Sequence, residues 1–231
     1  NGFDPSRIEI HAPVPRNNQL ASQSSFSQRN LIIYAGQLIR GKGVDVLLEA
    51  LKELPMEFEC VILGDGSHKP YCEELSRELG LANRVFFKGY VPPEEMAAYY
   101  SEASLAVMSS VWPEPFGAVG LEAMRYGLPV VAFDAGGIKE WLIDNVNGFL
   151  VPHMDRRQFA GRVEQLLQNK TLARIMGARG EAVVALRGQG CGPHDRPRQL
   201  QERQRHARPQ GGGRPPPGRR GDAAPRKTRE R

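Results

Sequence analysis

The chain has 231 residues, of which 40% are hydrophobic, and this is enough for one sizeable packed core. Its net charge of +5 is uneven, because residues 186–231 carry thirteen Lys and Arg against four Asp and Glu, which leaves about −4 on residues 1–185. The positive charge therefore belongs to the tail and gives no reason to read the folded part as a nucleic-acid binder.

The three cysteines, Cys60, Cys72 and Cys191, show neither paired spacing nor a CxxC motif. We therefore expect a reducing compartment, no structural disulfide and no metal site. No signal peptide opens the chain and no apolar run approaches the ~20 residues of a membrane span. A cytoplasmic location is the expectation. Asn1 is not an initiator Met, so the sequence is expected to begin inside a longer reading frame or after trimming.

Both ends of the chain differ in composition from its middle. Residues 1–29 are polar and interrupted by proline, which predicts a linker. Residues 186–231 are rich in Arg, Gly and Pro, and this composition predicts a disordered tail. The abrupt change suggests a frameshifted reading of the coding region, and the functional alternative is an arm that binds nucleic acid through phosphates. Because the tail lacks interleaved aromatic residues, we expect no specific nucleic-acid partner.

Between these ends, at residues 30–185, short apolar runs alternate with helical patterns. The runs predict strands at Leu31–Ala35, Cys60–Leu63, Arg84–Lys88, Leu105–Met108, Val130–Phe133 and Gly148–Val151. The periodic segments predict helices at Val44–Leu54, Tyr71–Leu79, Pro93–Ser101, Phe116–Tyr126, Ile138–Ile143 and Arg156–Gln168, with a last helix starting at Met176. This alternation predicts an α/β domain with a doubly wound, Rossmann-like parallel sheet. Ligands of such sheets bind in the loops that follow the strands.

The most informative loop is Ser109–Gly117, which leads into the predicted helix at Phe116. The free N–H groups and the dipole of that first turn predict a site for a phosphate or diphosphate. Glu114 and Glu122 are eight residues apart, a rise of roughly 12 Å if both were helical. Carboxylates on either side of an anion would accept hydrogen bonds from hydroxyl groups at the two ends of a ligand.

The segment from Glu114 to Met124 resembles the E-x7-E motif of retaining GT-B glycosyltransferases, the family 4 or group 1 type. The flanking segments YAGQLIRGKGVDVLLEAL, VILGDG, VFFKGYV, GLPVVAFDAGGIKEWL and NGFLV are similar to the C-terminal domain of that family in order and spacing. The resemblance covers about residues 30–180, and the opening Asn1-Gly2-Phe3-Asp4 resembles the hinge between the two domains of that fold. It implies one half of a GT-B fold, the half that binds a UDP-, GDP- or ADP-sugar, with no metal or other cofactor.

The resemblance also implies roles for individual residues. Glu114 would face the donor sugar and Glu122 the ribose hydroxyls. Lys42 and Arg40 would neutralise the leaving diphosphate. Gln37 stands where the family often has arginine, and Arg40, three residues further on, would supply that charge. The remaining donor-binding positions would be the backbone of Phe116 and Gly117, the glycine Gly36, and Tyr90 and Val91 near the nucleobase. Gly64 and Gly66, also counted among the donor-binding residues, would keep the floor of the cleft low.

The resemblance implies that the acceptor, a carbohydrate or a lipid-linked sugar, binds to the absent N-terminal domain, with peripheral membrane contact in the complete enzyme. The chain alone is then expected to bind donor without transferring sugar. Two alternatives stay open: a non-catalytic remnant, and a GT-B-fold sugar-nucleotide epimerase or phosphorylase. The sequence shows no cofactor lysine of the kind a phosphorylase needs.

Overall fold

The structure is a computed structural model that describes residues 29–188, and the fold below refers to that range. The predicted linker up to residue 28 and the predicted tail beyond residue 188 lie outside the described residues. Six parallel strands form one sheet: β1 (Leu31–Ala35), β2 (Glu59–Leu63), β3 (Val85–Gly89), β4 (Leu105–Met108), β5 (Val130–Phe133) and β6 (Gly148–Val151). The same range has six α-helices, of which the first four alternate with β1–β5 and the last two follow β6: α1 (Val44–Lys52), α2 (Lys69–Glu78), α3 (Met96–Glu102), α4 (Ala118–Arg125), α5 (Arg156–Gln168) and α6 (Lys170–Gly188).

The strand order β3-β2-β1-β4-β5-β6 makes this a doubly wound sheet, as predicted. Alternate residues of β1 point to opposite faces, so Ile32 and Tyr34 pack with α1, α2 and α5, whereas Ile33 packs with α3 and α4. Helix α6 contributes to both cores and contacts α4, α5 and β6. The chain order reverses between β1 and β4, and this is where such sheets bind ligands.

The structure corrects several predicted helix bounds. The segment at Ile138–Ile143 is a 3₁₀ turn at Gly137–Glu140 rather than an α-helix. The buried Asn147 side chain ends it, since its amide donates to the Trp141 carbonyl at 2.9 Å and its oxygen accepts from the Ile143 N–H at 2.7 Å. The starts of two other helices, α3 and α6, differ from the predicted residues because a local hydrogen bond precedes each helix. Helix α3 begins at Met96, after a turn closed by Glu95 N–H and the Pro92 carbonyl.

The last helix begins at Lys170, six residues before the predicted Met176. Asn169 separates it from α5, and the Asn169 side chain accepts a hydrogen bond from the Leu172 N–H at 2.9 Å. An asparagine that receives an N–H of the first turn is a preferred helix start. The short interruption between the two helices therefore has a side-chain cause that apolar periodicity does not report.

Helix α6 lies unusually close to the turn that ends α4. A Cβ added at Gly177 would be 1.7 Å from the Gly127 carbonyl oxygen, whereas one added at Gly161 in α5 would meet nothing within 4 Å. The two positions therefore form a matched pair of helical glycines, one with backbone against it and one facing open space.

We expect Gly177→Ala to destabilise the fold by about 1–3 kcal/mol, because overpacking outweighs the gain in helix propensity. Gly161→Ala is expected to stabilise it by roughly 0.5–1 kcal/mol, because alanine is the better helix former. Urea denaturation followed by circular dichroism measures both changes. A Gly177→Ala variant as stable as the unchanged chain would contradict the close packing of α6.

Candidate functional site

The candidate site is a cleft of about 310 Å³ at the carboxyl edge of the sheet, where β1 and β4 diverge. This volume lies near the lower limit of small-molecule sites, roughly 300–1,000 Å³. The residues that line it come from β1 and the loop after it, from β4 and the loop after it, and from the start of α4: Tyr34, Ala35, Gly36, Gln37, Lys42, Met108, Ser110, Glu114, Gly117, Ala118 and Val119.

A second cleft of about 320 Å³ lies on the other side of β1, over the face of the sheet between β1 and β3. Its lining residue Arg29 pairs with Glu59 at 2.5 Å and with Glu102 at 3.2 Å. It lies away from the carboxyl edge where β1 and β4 diverge, and its charged groups neutralise each other, so we place the candidate chemistry in the first cleft.

The centre of the first cleft is the carboxylate of Glu114, which is only 8% exposed. Both the Lys42 ammonium and the Ser110 hydroxyl donate hydrogen bonds to its Oε1 atom. Lys42 is 30% exposed, so its end of the pair reaches solvent. A buried carboxylate is stable only with such partners, because desolvation of an unpaired charge costs several kcal/mol.

The loop after β1 is attached to the loop after β4 by backbone contacts. The Gly41 carbonyl accepts hydrogen bonds from the N–H groups of Val111 and Trp112, at 3.0 and 3.1 Å. The Ser109 hydroxyl donates to the Lys42 carbonyl at 3.0 Å. Lys42 lies in a 3₁₀ turn, Arg40–Lys42, and these contacts fix the direction in which that turn presents the lysine.

The backbone of Glu114 is extended and pairs with Gly136 after β5. Its N–H donates to the Ala135 carbonyl at 3.3 Å, and its carbonyl accepts from the Gly137 N–H at 2.7 Å. A Cβ at Gly136 would be 2.4 Å from the Glu114 carbonyl oxygen, so a glycine is needed there. The Gly136-Gly137 pair thus serves to seat the loop that carries Glu114.

This pairing corrects the predicted start of the helix at Phe116. Helix α4 begins at Ala118, and Gly117 precedes it with a φ of 75°, in the left-handed region that favours glycine. Phe116 lies outside the helix and is not among the residues that line the cleft, and its carbonyl accepts from the Trp141 indole N–H at 2.6 Å. The first helical turn therefore begins with the N–H groups of Ala118 and Val119, because the Gly120 N–H already donates to the Gly117 carbonyl at 3.0 Å.

Glu122 lies on α4, four residues after Ala118 and three after Val119. Helical spacing puts it on the same face as these two residues, just beyond the cleft lining. Burial raises the pKa of the Glu122 carboxyl, and the positive charge of Arg125 opposes that rise. Because Glu114 precedes the helix, the spacing of the two glutamates is not two helical turns and the ~12 Å expectation does not apply.

Of the predicted glycines, Gly36 lines the cleft, whereas Gly64 and Gly66 do not. A Cβ at Gly64 would be 1.8 Å from the Gly36 carbonyl oxygen, and one at Gly66 would be 2.4 Å from the Leu38 carbonyl oxygen. Both glycines have positive φ values, 141° and 156°, which residues with a side chain rarely adopt. They allow the loops after β1 and β2 to pack closely behind the cleft.

The other predicted residues lie around the cleft rather than in its lining. Arg40 is exposed at the start of the 3₁₀ turn and does not line the cleft, whereas Gln37 does. Tyr90 is 74% exposed and Val91 half-buried, and both follow β3. Since β3 is two strands away from β1, this loop lies roughly 10 Å from the cleft along the same edge.

Two residues that the sequence analysis did not select touch the central carboxylate or lie beside it. Ser110 donates to it, and the adjacent Ser109-Ser110 pair at the end of β4 was the available signal. Tyr34 is buried, and burial together with the charge of Glu114 raises the pKa of its phenol. The Tyr34 hydroxyl donates to the Gln37 carbonyl at 3.2 Å and thereby stabilises the loop after β1.

Within residues 29–188, no group of three or more His, Cys, Asp or Glu side chains is arranged to hold a metal ion. No helix in the same range is long and apolar enough to cross a membrane.

Comparison with known proteins gives a consistent match. The family model described as "Glycosyl transferases group 1" matches residues 15–183. An uncharacterized glycosyltransferase of Methanocaldococcus jannaschii, MJ1607, is 31% identical over 172 residues, which cover 73% of this chain and 44% of that protein. A GDP-mannose-dependent phosphatidylinositol monomannoside mannosyltransferase of Mycolicibacterium smegmatis is 31% identical over 189 residues, covering 78% and 49%.

Among solved structures, Anabaena HepE in complex with UDP and glucose has 29% sequence identity and a TM-score of 0.64. The match covers 69% of this chain and 44% of HepE. The chain thus spans less than half the length of each of these three relatives. On the extent of the family match, together with a doubly wound sheet and a cleft at its switch point, this chain belongs to the glycosyl transferases of group 1.

Proposed function

We propose that this chain is the donor-binding half of a retaining glycosyltransferase. It binds a nucleotide sugar in the cleft between β1 and β4, without a metal ion, for transfer to a carbohydrate or lipid-linked acceptor held by another domain. The observation that carries the proposal is the Lys42–Glu114 pair beside the first turn of α4. A cation, a helix N-terminus and a buried carboxylate suit a ligand that has both a diphosphate and a sugar.

The proposed roles follow the order of groups along such a ligand. The diphosphate would lie against Lys42 and the N–H groups at the start of α4, so that positive charge stabilises the leaving group as the glycosidic bond breaks. Glu114 would accept a hydrogen bond from a sugar hydroxyl. Glu122, on the same helix face as Ala118, would accept from the ribose. Val91 and Tyr90 lie further along the edge, toward the expected position of the base.

Retention follows from a front-face attack in which the departing phosphate takes the proton of the acceptor hydroxyl. This route suits the cleft because Glu114, its one lining carboxylate among residues 29–188, already accepts from Lys42 and Ser110. Because its carboxylate already accepts these two hydrogen bonds, Glu114 is not assigned the acceptor proton, which would pass to the leaving group. We further propose a cytoplasmic location, with membrane contact made by other parts of the enzyme.

The first prediction concerns the ribose. Glu122→Ala is expected to weaken binding of one nucleoside diphosphate among UDP, GDP and ADP by roughly tenfold, because hydrogen bonds to a charged group are lost. The 2′,3′-dideoxy form of that nucleotide should bind the variant and the unchanged chain alike, since it lacks both ribose hydroxyls and therefore the same interaction. Isothermal titration calorimetry measures all four affinities.

The matched control is Glu78→Ala, which removes an exposed glutamate at the end of α2 and should leave the affinity unchanged. Equal loss in both variants would mean that net charge, rather than contact with the ribose, determines the effect. Absence of binding to every nucleotide would contradict the donor site and favour a non-catalytic remnant.

The second prediction concerns the diphosphate. Lys42→Gln is expected to lower nucleoside diphosphate affinity by tenfold or more, roughly the value of a charge-assisted hydrogen bond. Arg40→Gln should lower it less, because the Arg40 side chain is exposed two residues before Lys42. Titrations at low and high salt, with Lys52→Gln as the exposed control on α1, measure the three losses. Unchanged affinity in Arg40→Gln would remove Arg40 from the proposed site.

The third prediction concerns activity. The chain by itself is expected to bind donor but to transfer no sugar, because the acceptor has no proposed site in the described residues. The assay is release of nucleoside diphosphate from the preferred sugar conjugate, with and without a panel of sugar acceptors. Acceptor-dependent release would show that the chain is active alone.

A further inference from the structure

We propose that Ser110 is a positioning residue that keeps the Glu114 carboxylate in place when Lys42 turns toward the diphosphate of the donor. The inference rests on the proposed function and adds a residue that determines recognition of the sugar. It follows from the hydrogen bonds at one oxygen atom, because the Lys42 ammonium and the Ser110 hydroxyl both donate to Oε1 of Glu114.

The two donors differ in mobility. Lys42 is 30% exposed and has a long, flexible side chain, whereas Ser110 is 4% exposed and is the second residue after β4. A single rotatable bond separates the Ser110 hydroxyl from a backbone fixed at the sheet edge. When an anion enters the cleft, the lysine is therefore the donor that moves, and the serine is the donor that remains.

The remaining hydrogen bond matters because Glu114 is buried. A carboxylate that is 8% exposed and loses a cation needs another donor, or it turns toward solvent. The extended backbone pairing of Glu114 with Gly136 fixes the start of its side chain, and Ser110 fixes the end. With both ends of its side chain fixed, Glu114 can still accept a hydrogen bond from a sugar hydroxyl while Lys42 contacts the phosphates.

The neighbouring serine has a different task. Ser109 is fully buried and donates to the Lys42 carbonyl at 3.0 Å, so it supports the backbone of the first loop rather than the carboxylate. The division of the pair explains why two adjacent serines end β4: one holds the turn that carries Lys42, and the other holds the side chain that Lys42 contacts.

The test is the affinity gain that the sugar provides, which is the Kd of the nucleoside diphosphate divided by the Kd of its sugar conjugate. We expect Ser110→Ala to reduce this gain roughly tenfold or more, the value of a hydrogen bond to a charged group, with a smaller effect on the bare nucleotide. A serine that served only to pack the loop would lower both affinities together and leave the gain unchanged.

Two further variants complete the design. Ser76→Ala removes another buried serine hydroxyl, one with no hydrogen-bond partner among the described residues, and should leave the gain unchanged. Ser110→Thr retains the hydroxyl and should retain the gain, with circular dichroism confirming that each variant is folded.

The outcomes separate the two proposals. If Ser110→Ala binds with the same gain as the unchanged chain, Ser110 has no positioning role and the donor site stands. A folded Ser110→Thr variant that loses the gain also overturns it. If the unchanged chain binds neither nucleotide nor conjugate, both proposals are wrong.

Discussion

The ion pair between Lys42 and Glu114 is the interaction on which the architecture of the cleft depends. Its two members lie in different loops, one after β1 and one after β4, and the sheet order brings those loops to the same edge. Burial of Glu114 requires hydrogen-bond donors from these loops, Lys42 and Ser110, because a buried carboxylate without partners would cost several kcal/mol. The loops must therefore stay together, and the space they enclose keeps its shape.

Glycines make this closeness possible. The carbonyls of Gly36 and Leu38 lie where side chains at Gly64 and Gly66 would have to be, and the Glu114 carbonyl lies where a side chain at Gly136 would be. Each of these glycines brings one loop against the backbone of another. Their effect on the cleft is indirect, since they set the distance between the loops whose side chains line it.

The fold could be predicted well because strands and helices are indicated by the pattern of apolar residues that are close together in the sequence. Apolar runs gave the bounds of β1, β4, β5, β6 and α5 as the structure has them. The start of α4 was wrong because Glu114 forms a backbone pairing with Gly136, a residue twenty-two positions away, and local propensity contains no such information. Asn147 ends the 3₁₀ turn at Glu140 in the same way, through contacts of its side chain with Trp141 and Ile143.

The site was predictable in its members but not in its arrangement. Lys42, Glu114, Gly36 and Gly117 do line one cleft, as the resemblance implied. Gly64 and Gly66 were expected to keep the floor of the cleft low; they do not line it, and the Gly36 and Leu38 carbonyls lie against them, which the sequence does not show. Ser110 was missed for a related reason, since a buried serine gains its role from a hydrogen bond that only the folded chain defines.

The charge balance of the cleft couples the two ends of the proposed ligand. Among the residues that line it, Lys42 is the cation and Glu114 the anion, so the cleft is close to neutral before a donor binds. A diphosphate would then have to compete with Glu114 for Lys42, with the dipole of α4 as additional attraction. A nucleotide sugar resolves this competition, because its sugar hydroxyl can donate to the carboxylate as its phosphates take the lysine. A bare diphosphate satisfies only one member of the pair, and this asymmetry is a physical basis for preferring the intact donor over the product.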